Sequence, residues 1–252
     1  MKITFLGTGT SNGVPMIGCN CKVCSSDNPK NKRYRSSIAV SNNYGTVIID
    51  TPPEFRLQCI RENINSLDAV LLTHDHADHI AGLDDLRGFS LISHRHIPVY
   101  GNEQTVKTIL KNYDYMFKKP INKSAIAKIS PHILYDKVNL INTDFIPITI
   151  NHGKLNIYAY KFNNCLYCTD CSYIPHKNRE LFYNLDVLII DALKFSPHPT
   201  HFTLRQALAV INKVKPKKAY LTHCTHSFDY DEVSKLLPKN VYLSYDGLKI
   251  DI

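Results

Sequence analysis

Short apolar runs, some alternating and some continuous, are separated along this chain by turn formers. Lys2 to Leu6 alternates and predicts a first strand, followed by the loop Gly7-Thr8-Gly9-Thr10-Ser11-Asn12-Gly13. Ser37 to Val40 and Thr46 to Asp50 read as a hairpin ended by Pro52-Pro53, a helix is expected from about Glu54 to Arg61, and Ala69-Val70-Leu71-Leu72 is an apolar strand. Ile80, Leu83 and Leu86 at helical spacing predict a helix beginning near His79. Ile97 to Gly101 then reads as a strand and Glu103 to Lys111 as a helix.

Residues 112–139 are the least regular part, where Lys118, Lys119, Lys123 and Lys128 mingle with Tyr113, Tyr115 and Phe117. That mixture suits either a lid over an anionic substrate or a solvated surface insertion. Strands return at Phe145 to Ile150, Leu155 to Lys161, Asn164 to Cys168, Val187 to Asp191 and Ala219 to Thr222, with helices near Pro175 to Tyr183 and from Leu204 to Lys213. Strand-rich halves, each followed by helices, predict an α/β (α+β) architecture. Two sheets would face each other with helices outside, in one domain spanning 1–252.

Composition changes this picture little. The 252 residues suffice for one substantial core, and 30 Lys+Arg against 22 Asp+Glu leave a formal charge of +8 that attracts phosphates, nucleotides or RNA without choosing among them. Eight cysteines without a charged-then-apolar leader point to a reducing, cytoplasmic setting. No apolar run reaches the length of a membrane span, so no membrane partner is expected.

Chemistry concentrates in Thr73-His74-Asp75-His76-Ala77-Asp78-His79, directly behind the strand at 69–72. His74 and His76 alternate by two and point the same way from an extended segment, with Asp78 and His79 following. Imidazole and carboxylate at this density would desolvate one another unless a cation sat between them. His152, Asp170 and His223 each follow a predicted strand, so they converge on the same edge. Seven donors suit two cations sharing a carboxylate better than one.

Cys19, Cys21 and Cys24 place three thiols within six residues, a zinc clip that lacks one ligand. A second sulfur run, Cys165, Cys168 and Cys171, is set aside because strand alternation would send Cys168 and Cys171 to opposite faces. His94 and His96 read as surface residues, while Arg33 and Arg35 suit either phosphate contact or structural pairing. The glycine loop is not a dinucleotide fingerprint, since Asn12 stands where the third glycine belongs. It reads as a tight turn that brings backbone close to the metal centre.

Asp50, the His74-x-His76-x-Asp78-His79 run, His152, Asp170 and His223 occur in the order of the metallo-β-lactamase superfamily, which the whole chain resembles. The resemblance implies a four-layer αββα sandwich with His74, His76 and His152 on one metal, Asp78, His79 and His223 on the other, and Asp170 bridging. Gly7-x-Gly9-x-x-x-Gly13-Val14-Pro15, Gly18-Cys19-x-Cys21-x-x-Cys24 and Leu221-Thr222-His223-x-x-His226 narrow it. They are similar to the phosphoribosyl 1,2-cyclic phosphate phosphodiesterases, the PhnP-like group. That similarity implies a structural Zn2+ held by Cys19, Cys21, Cys24 and His226, a choice over Cys224 that spacing alone does not make. It also implies a proton-transfer role for His201, whose position equally suits a helix cap or a phosphate contact.

The implied activity is hydrolysis of a small, cyclic phosphodiester by a binuclear metallohydrolase using Zn2+, Mn2+ or Fe2+. Asp78 would help align the attacking water and His201 would protonate the leaving oxygen. Three alternatives stand beside it: an RNA-processing endonuclease resembling transfer-RNA 3′ enzymes, a thioester or lactone hydrolase, and a non-catalytic metal-binding module. A homodimer is left open.

Overall fold

The computed structural model describes residues 1–118 and 125–252. Strands β1 (Lys2–Gly7), β2 (Ser37–Asn42), β3 (Gly45–Ile49), β4 (Ala69–Leu71), β5 (Ile97–Gly101) and β6 (Ile129–Ile133) belong to one sheet. Strands β7 (Val138–Leu140), β8 (Thr143–His152), β9 (Leu155–Phe162), β10 (Cys165–Cys168), β11 (Val187–Asp191), β12 (Lys218–Thr222) and β13 (Val241–Leu243) form the second. The last strand, β14 (Lys249–Asp251), returns to pair with β1, so the orders are β14-β1-β2-β3-β4-β5-β6 and β13-β12-β11-β10-β9-β8-β7.

Alternation along the strands builds the layers. Val47 and Ile49 of β3 face inward and join Phe5, Val40, Phe145, Tyr160, Tyr167 and Ile189 in a core between the sheets. Ile48 of the same strand faces outward, with Val70, Leu72 and Val99, under helices α1 (Phe55–Glu62), α2 (Ala77–Ile80), α3 (Leu86–Ser93) and α4 (Glu103–Asn112). On the other side Leu166, Leu188, Ile190 and Leu221 pack under α5 (Leu204–Val214) and α6 (Tyr230–Leu236). The result is two mixed sheets flanked by helices, the expected αββα sandwich.

The run β3-β4-β5-β6 is parallel, and so is β10-β11-β12-β13. Parallel strands deliver their carboxyl ends to one edge, the place where ligands meet open α/β sheets. Asp50, His74, Asp170, Asp191 and His223 all stand at those ends.

Several expectations need correction. The helix foreseen from His79 is broken: α2 starts at Ala77, a 3-10 turn covers Leu83–Asp85, and α3 follows. Gly82 explains the break, because a Cβ there would lie 2.3 Å from the Pro52 carbonyl, and its N–H donates to Thr51 O at 2.9 Å. The segment foreseen as a helix near 175–183 is 3-10 over His176–Phe182. Residues 112–139 contain β6 and β7 rather than only irregular chain, while Lys119 and Lys123 of the supposed lid lie outside the described residues. Cys168 and Cys171 do not face opposite ways: both sit in the outer core in contact with each other, and it is Cys165 that faces inward. The chain leaves the strand after Cys168 and turns through Asp170 at φ 54°, so alternation no longer applies. Among the described residues no helix is long and apolar enough to cross a membrane.

Candidate metal centre

All seven expected donors meet at the shared edge. Ligand atoms of His74, His76 and His152 lie within 4.8 Å of one another, as do those of His74, His79 and Asp170, and those of Asp78, Asp170 and His223. Ring centroids are 4.5 Å apart for His74 and His76, 5.1 Å for His76 and His152, and 5.9 Å for His79 and His223. Donors around a cation at about 2.1 Å stand roughly 3 to 4 Å apart, so the spacing accepts one with little rearrangement.

Four of the five imidazoles, those of His74, His79, His152 and His223, are turned by a bond at Nδ1. His79 Nδ1 donates to Asp50 Oδ2 at 2.8 Å, and His74 Nδ1 to Thr73 Oγ1 at 3.0 Å, whose hydroxyl donates onward to Asp50. His152 Nδ1 lies 2.9 Å from Thr200 O and 3.0 Å from Asp170 O, and His223 Nδ1 donates to Ser36 Oγ at 3.2 Å. This network assigns the proton of these four rings to Nδ1 and leaves Nε2 as the ligating lone pair.

The electrostatics call for positive charge. Burial works against a charged His79, but Asp170, Asp78 and Asp50 outweigh it and hold the ring well above its ordinary pKa. Burial and the charge of His79 push His74 far below, and burial brings His223 down to about 4. Burial would raise Asp170, yet His223 and His79 reverse it and keep the carboxyl well below the usual range. His74 Nε2 is buried without a hydrogen-bond partner among the described residues, and His79 Nε2 faces the Asp78 and Asp170 carboxylates at 3.3 and 3.2 Å. Such an orphaned nitrogen as that of His74 costs about 1–3 kcal/mol, a penalty that coordination removes. The donor set fits divalent metal.

His201 is not the cap of α5. That place belongs to Thr203, which forms a capping box with Gln206. His201 is buried instead, with Nδ1 2.9 Å from Asp191 Oδ2 and Nε2 3.9 Å from Asp170 Oδ1. Burial, reinforced by Asp170, raises Asp191 well above the carboxylate range, and burial lowers His201, so the two affinities for the shared proton are drawn together. Sequence reasoning missed Asp191, although it ends an apolar strand as the other donors do. It also missed Thr73, Ser36 and Thr169, whose signal is a hydroxyl beside a donor or at a strand start.

A second cluster lies behind His223. Cys19, Cys21 and Cys24 place their sulfurs 3.2, 3.4 and 3.3 Å from His226 Nδ1. The backbone N–H of Cys24 brings the Cys21 thiol down to about 6, while burial pushes Cys24 up to about 11. Cys224 is buried elsewhere, its N–H donating to Thr8 O at 2.9 Å. Gly7 and Gly9 let that loop close: a Cβ on Gly7 would meet Arg35 O at 2.0 Å and one on Gly9 would meet Arg33 O at 2.8 Å. Both arginines are structural. Arg33 is buried and donates to Phe228 O at 2.7 Å and Thr225 O at 3.3 Å, and Arg35 pairs with Glu54 and donates to Ser11 O at 2.6 Å. His94 and His96 are exposed, as expected.

Residues 46–224 match the model of the beta-lactamase superfamily domain. The chain belongs to the beta-lactamase superfamily. Among superfamily members of known structure, one described as a new diphosphatase from the PhnP family is 40% identical, with a TM-score of 0.93 over 100% of this chain and 97% of that one. Zn(2+)-bound PqqB from Methylobacterium extorquens, at 17% identity and a TM-score of 0.81 over 100% of both chains, shares the superfamily fold. An octanoyltransferase of Porphyromonas gingivalis is 34% identical over 258 residues, which is 99% of this chain but 51% of that protein. The chain thus spans about half the length of that curated relative.

Proposed function

We propose that this chain is a metal-dependent phosphodiesterase acting on a small, cyclic phosphate ester, with His74, His76, Asp78, His79, His152, Asp170 and His223 holding two divalent cations. The observation that carries the reading is the complete donor set beside a histidine, His201, aimed at the same point and braced by Asp191. The 40% identical diphosphatase of the PhnP family supports phosphate chemistry. Half of the octanoyltransferase lies outside the match, so its name lends no support to acyl transfer here.

Cations held there would supply an acidified water and positive charge at phosphorus. The chain's own residues do the rest. Asp50, Thr73, Ser36 and the Thr200 carbonyl fix the imidazoles, and Asp78 and Asp170 accept protons of the attacking water so that it lies opposite the leaving group. His201 holds a proton at Nε2 for the departing oxygen. A bound phosphate adds negative charge beside His201 and favours its protonated form, against the burial that lowers it in the free protein.

Cys19, Cys21, Cys24 and His226 hold a structural zinc on this reading. It pins the front loop to the chain three residues beyond His223 and so steadies that ligand. The test is purified protein, loaded with zinc or manganese, on bis(p-nitrophenyl) phosphate and a panel of cyclic phosphodiesters. Metal-dependent turnover abolished by Asp78→Ala supports the reading, and no turnover with either metal overturns it.

A further inference from the structure

We infer that an apolar cavity between α5 and the 3-10 segment His176–Phe182, with Arg179 and Lys213 among its lining residues, binds a medium-chain carboxylate at a site separate from the metal centre. The cavity holds about 260 Å³. Taking the roughly 30 Å³ that one water occupies as the share of a heavy atom, that is room for a tail of about nine carbons. None of the seven metal donors lines it.

The walls are fixed before any guest arrives. Ile174, Phe182, Phe202 and Val214 line the cavity and are buried in the outer core, so their apolar faces are held from beneath. Asn178 Nδ2 donates to Thr149 O of β8 at 2.6 Å, and Lys161 Nζ of β9 donates to Leu181 O at 3.0 Å, bonds that hold the 3-10 segment against the sheet. On the other side Phe202 N–H donates to Cys171 O at 2.7 Å, and Thr203 caps α5. A preformed apolar cleft with few polar groups is the ordinary form of a small-molecule site, and a guest loses little there to reordering.

The charged groups at this cleft are both cationic. Arg179 Nε donates to Ile174 O at 3.3 Å, and its guanidinium lies 5.9 Å from the Tyr173 ring centroid, which leaves both terminal NH2 groups without a partner among the described residues. That planar fork matches a carboxylate. Neither Arg179 nor Lys213 is paired with a carboxylate among the described residues, and no Asp or Glu lines the cavity. Lys215, Lys217 and Lys218 follow closely in the chain, all exposed, and Asp186 pairs with Lys217 alone of the three at 2.6 Å. The local field therefore draws an anion to this side of the molecule. The apolar depth rejects free phosphate or any wholly hydrated ion, which would have to shed water to enter. A carboxylate with an alkyl tail satisfies both parts.

The test is calorimetric titration of the zinc-loaded protein with butanoate, hexanoate, octanoate, decanoate and dodecanoate, with octanol as the neutral control. Affinity should rise roughly two- to fourfold per added methylene and level off near about ten carbons, once the cavity is full. Octanol on the wild type, and octanoate on the double variant Arg179→Gln with Lys213→Gln, should each bind roughly 10-fold more weakly, the scale of one lost charge-assisted bond. Val210→Trp puts a ring into the cavity and should abolish octanoate binding while melting temperature and metal content stay at wild-type values; if that protein does not fold, the charge variant decides alone. Binding that survives Val210→Trp would put the carboxylate on the metals instead, and equal affinity for octanol and octanoate would remove the cations from the site. Sedimentation with anionic vesicles without octanoate binding would make the surface a lipid contact. Each of these overturns the inference, as does octanoate that shows no binding at all. None of the measurements reads turnover, so the cavity and the proposed reaction are tested apart.

Discussion

Asp50 touches no substrate, yet replacing it with asparagine should disable the centre. Both of its oxygens are buried acceptors: Oδ1 takes the Thr73 N–H at 2.8 Å and Oδ2 takes His79 Nδ1 at 2.8 Å, and neither Asp50 nor His79 is exposed. An asparagine amide satisfies only one side. With its oxygen toward Thr73, the NH2 group faces His79 Nδ1 and forces the proton onto Nε2, the atom 3.3 Å from Asp78 and 3.2 Å from Asp170 that is proposed to ligate. With its oxygen toward His79, the NH2 meets the Thr73 N–H, which loses its partner at a cost of about 1–3 kcal/mol. Loss of such an orienting group lowers metal affinity about 10- to 100-fold, or roughly 1.4 to 2.8 kcal/mol. Competition titration against a chromophoric chelator measures the affinity, and thermal melting with and without metal verifies that the variant is folded. A folded Asp50→Asn protein that binds metal within about twofold of wild type would refute the tautomer argument.

Three further outcomes are expected. Asp191→Asn should lower kcat about 10²-fold or more for esters with poor alkoxide leaving groups and far less for p-nitrophenyl esters, since only the former need the His201 proton; equal losses in a leaving-group series would contradict that role. Cys24→Ser or His226→Ala should remove one equivalent of zinc by elemental analysis while the other metals stay, with melting lowered about 2–4 °C for each kcal/mol lost. Burial pushes the Asp246 carboxyl up to about 6, against the bonds it accepts from Tyr34 N, Arg61 and Thr8. A raised pKa means the fold holds the proton more tightly than the unfolded chain. The resulting stabilisation is therefore full below about pH 4, is lost as pH rises through 6, and amounts to about 3 kcal/mol. Denaturant unfolding from pH 4 to 7 should show wild type losing ground to Asp246→Asn by that amount, whereas a constant gap would mean that Arg61 keeps Asp246 ionised throughout.

The central strands were legible because burial on both faces leaves an apolar run in sequence, as in Val187–Asp191, and Ile3 and Phe5 alternate with polar neighbours at the start of β1. The strands that went unread, β6, β7, β13 and β14, are all at sheet edges and only three to five residues long. An edge strand has fewer buried positions to reveal it, and Pro131 in β6 is tolerated because a proline there need not donate to a neighbour. The donors at strand ends were legible as a group, whereas His226 and His201 came only through resemblance. Nothing in the spacing of Cys19, Cys21 and Cys24 points 202 residues ahead to the fourth member of their cluster.

Three of the edge residues, Asp50, Asp170 and His223, have φ of 68°, 54° and 59°, a backbone state that costs non-glycine residues about 1–3 kcal/mol. The strain has a geometric use. A strand that continued past its last residue would send alternate side chains up and down the sheet, away from the facing sheet's edge. A left-handed residue at that point turns the chain and its side chain across the gap, so the donors after β10 and β12, and Asp50 after β3 that orients His79, meet the donors after β4. Each turn is held by neighbours: Asp50 N–H donates to Leu71 O at 2.9 Å, Thr169 Oγ1 donates to Asp170 Oδ2 at 2.8 Å, and Cys224 N–H after His223 donates to Thr8 O at 2.9 Å. The glycine loop, the cysteine cluster and the buried Arg33 bind the chain around the last of these. The front loop therefore serves the centre without touching it, by holding His223 in a conformation it would not adopt alone.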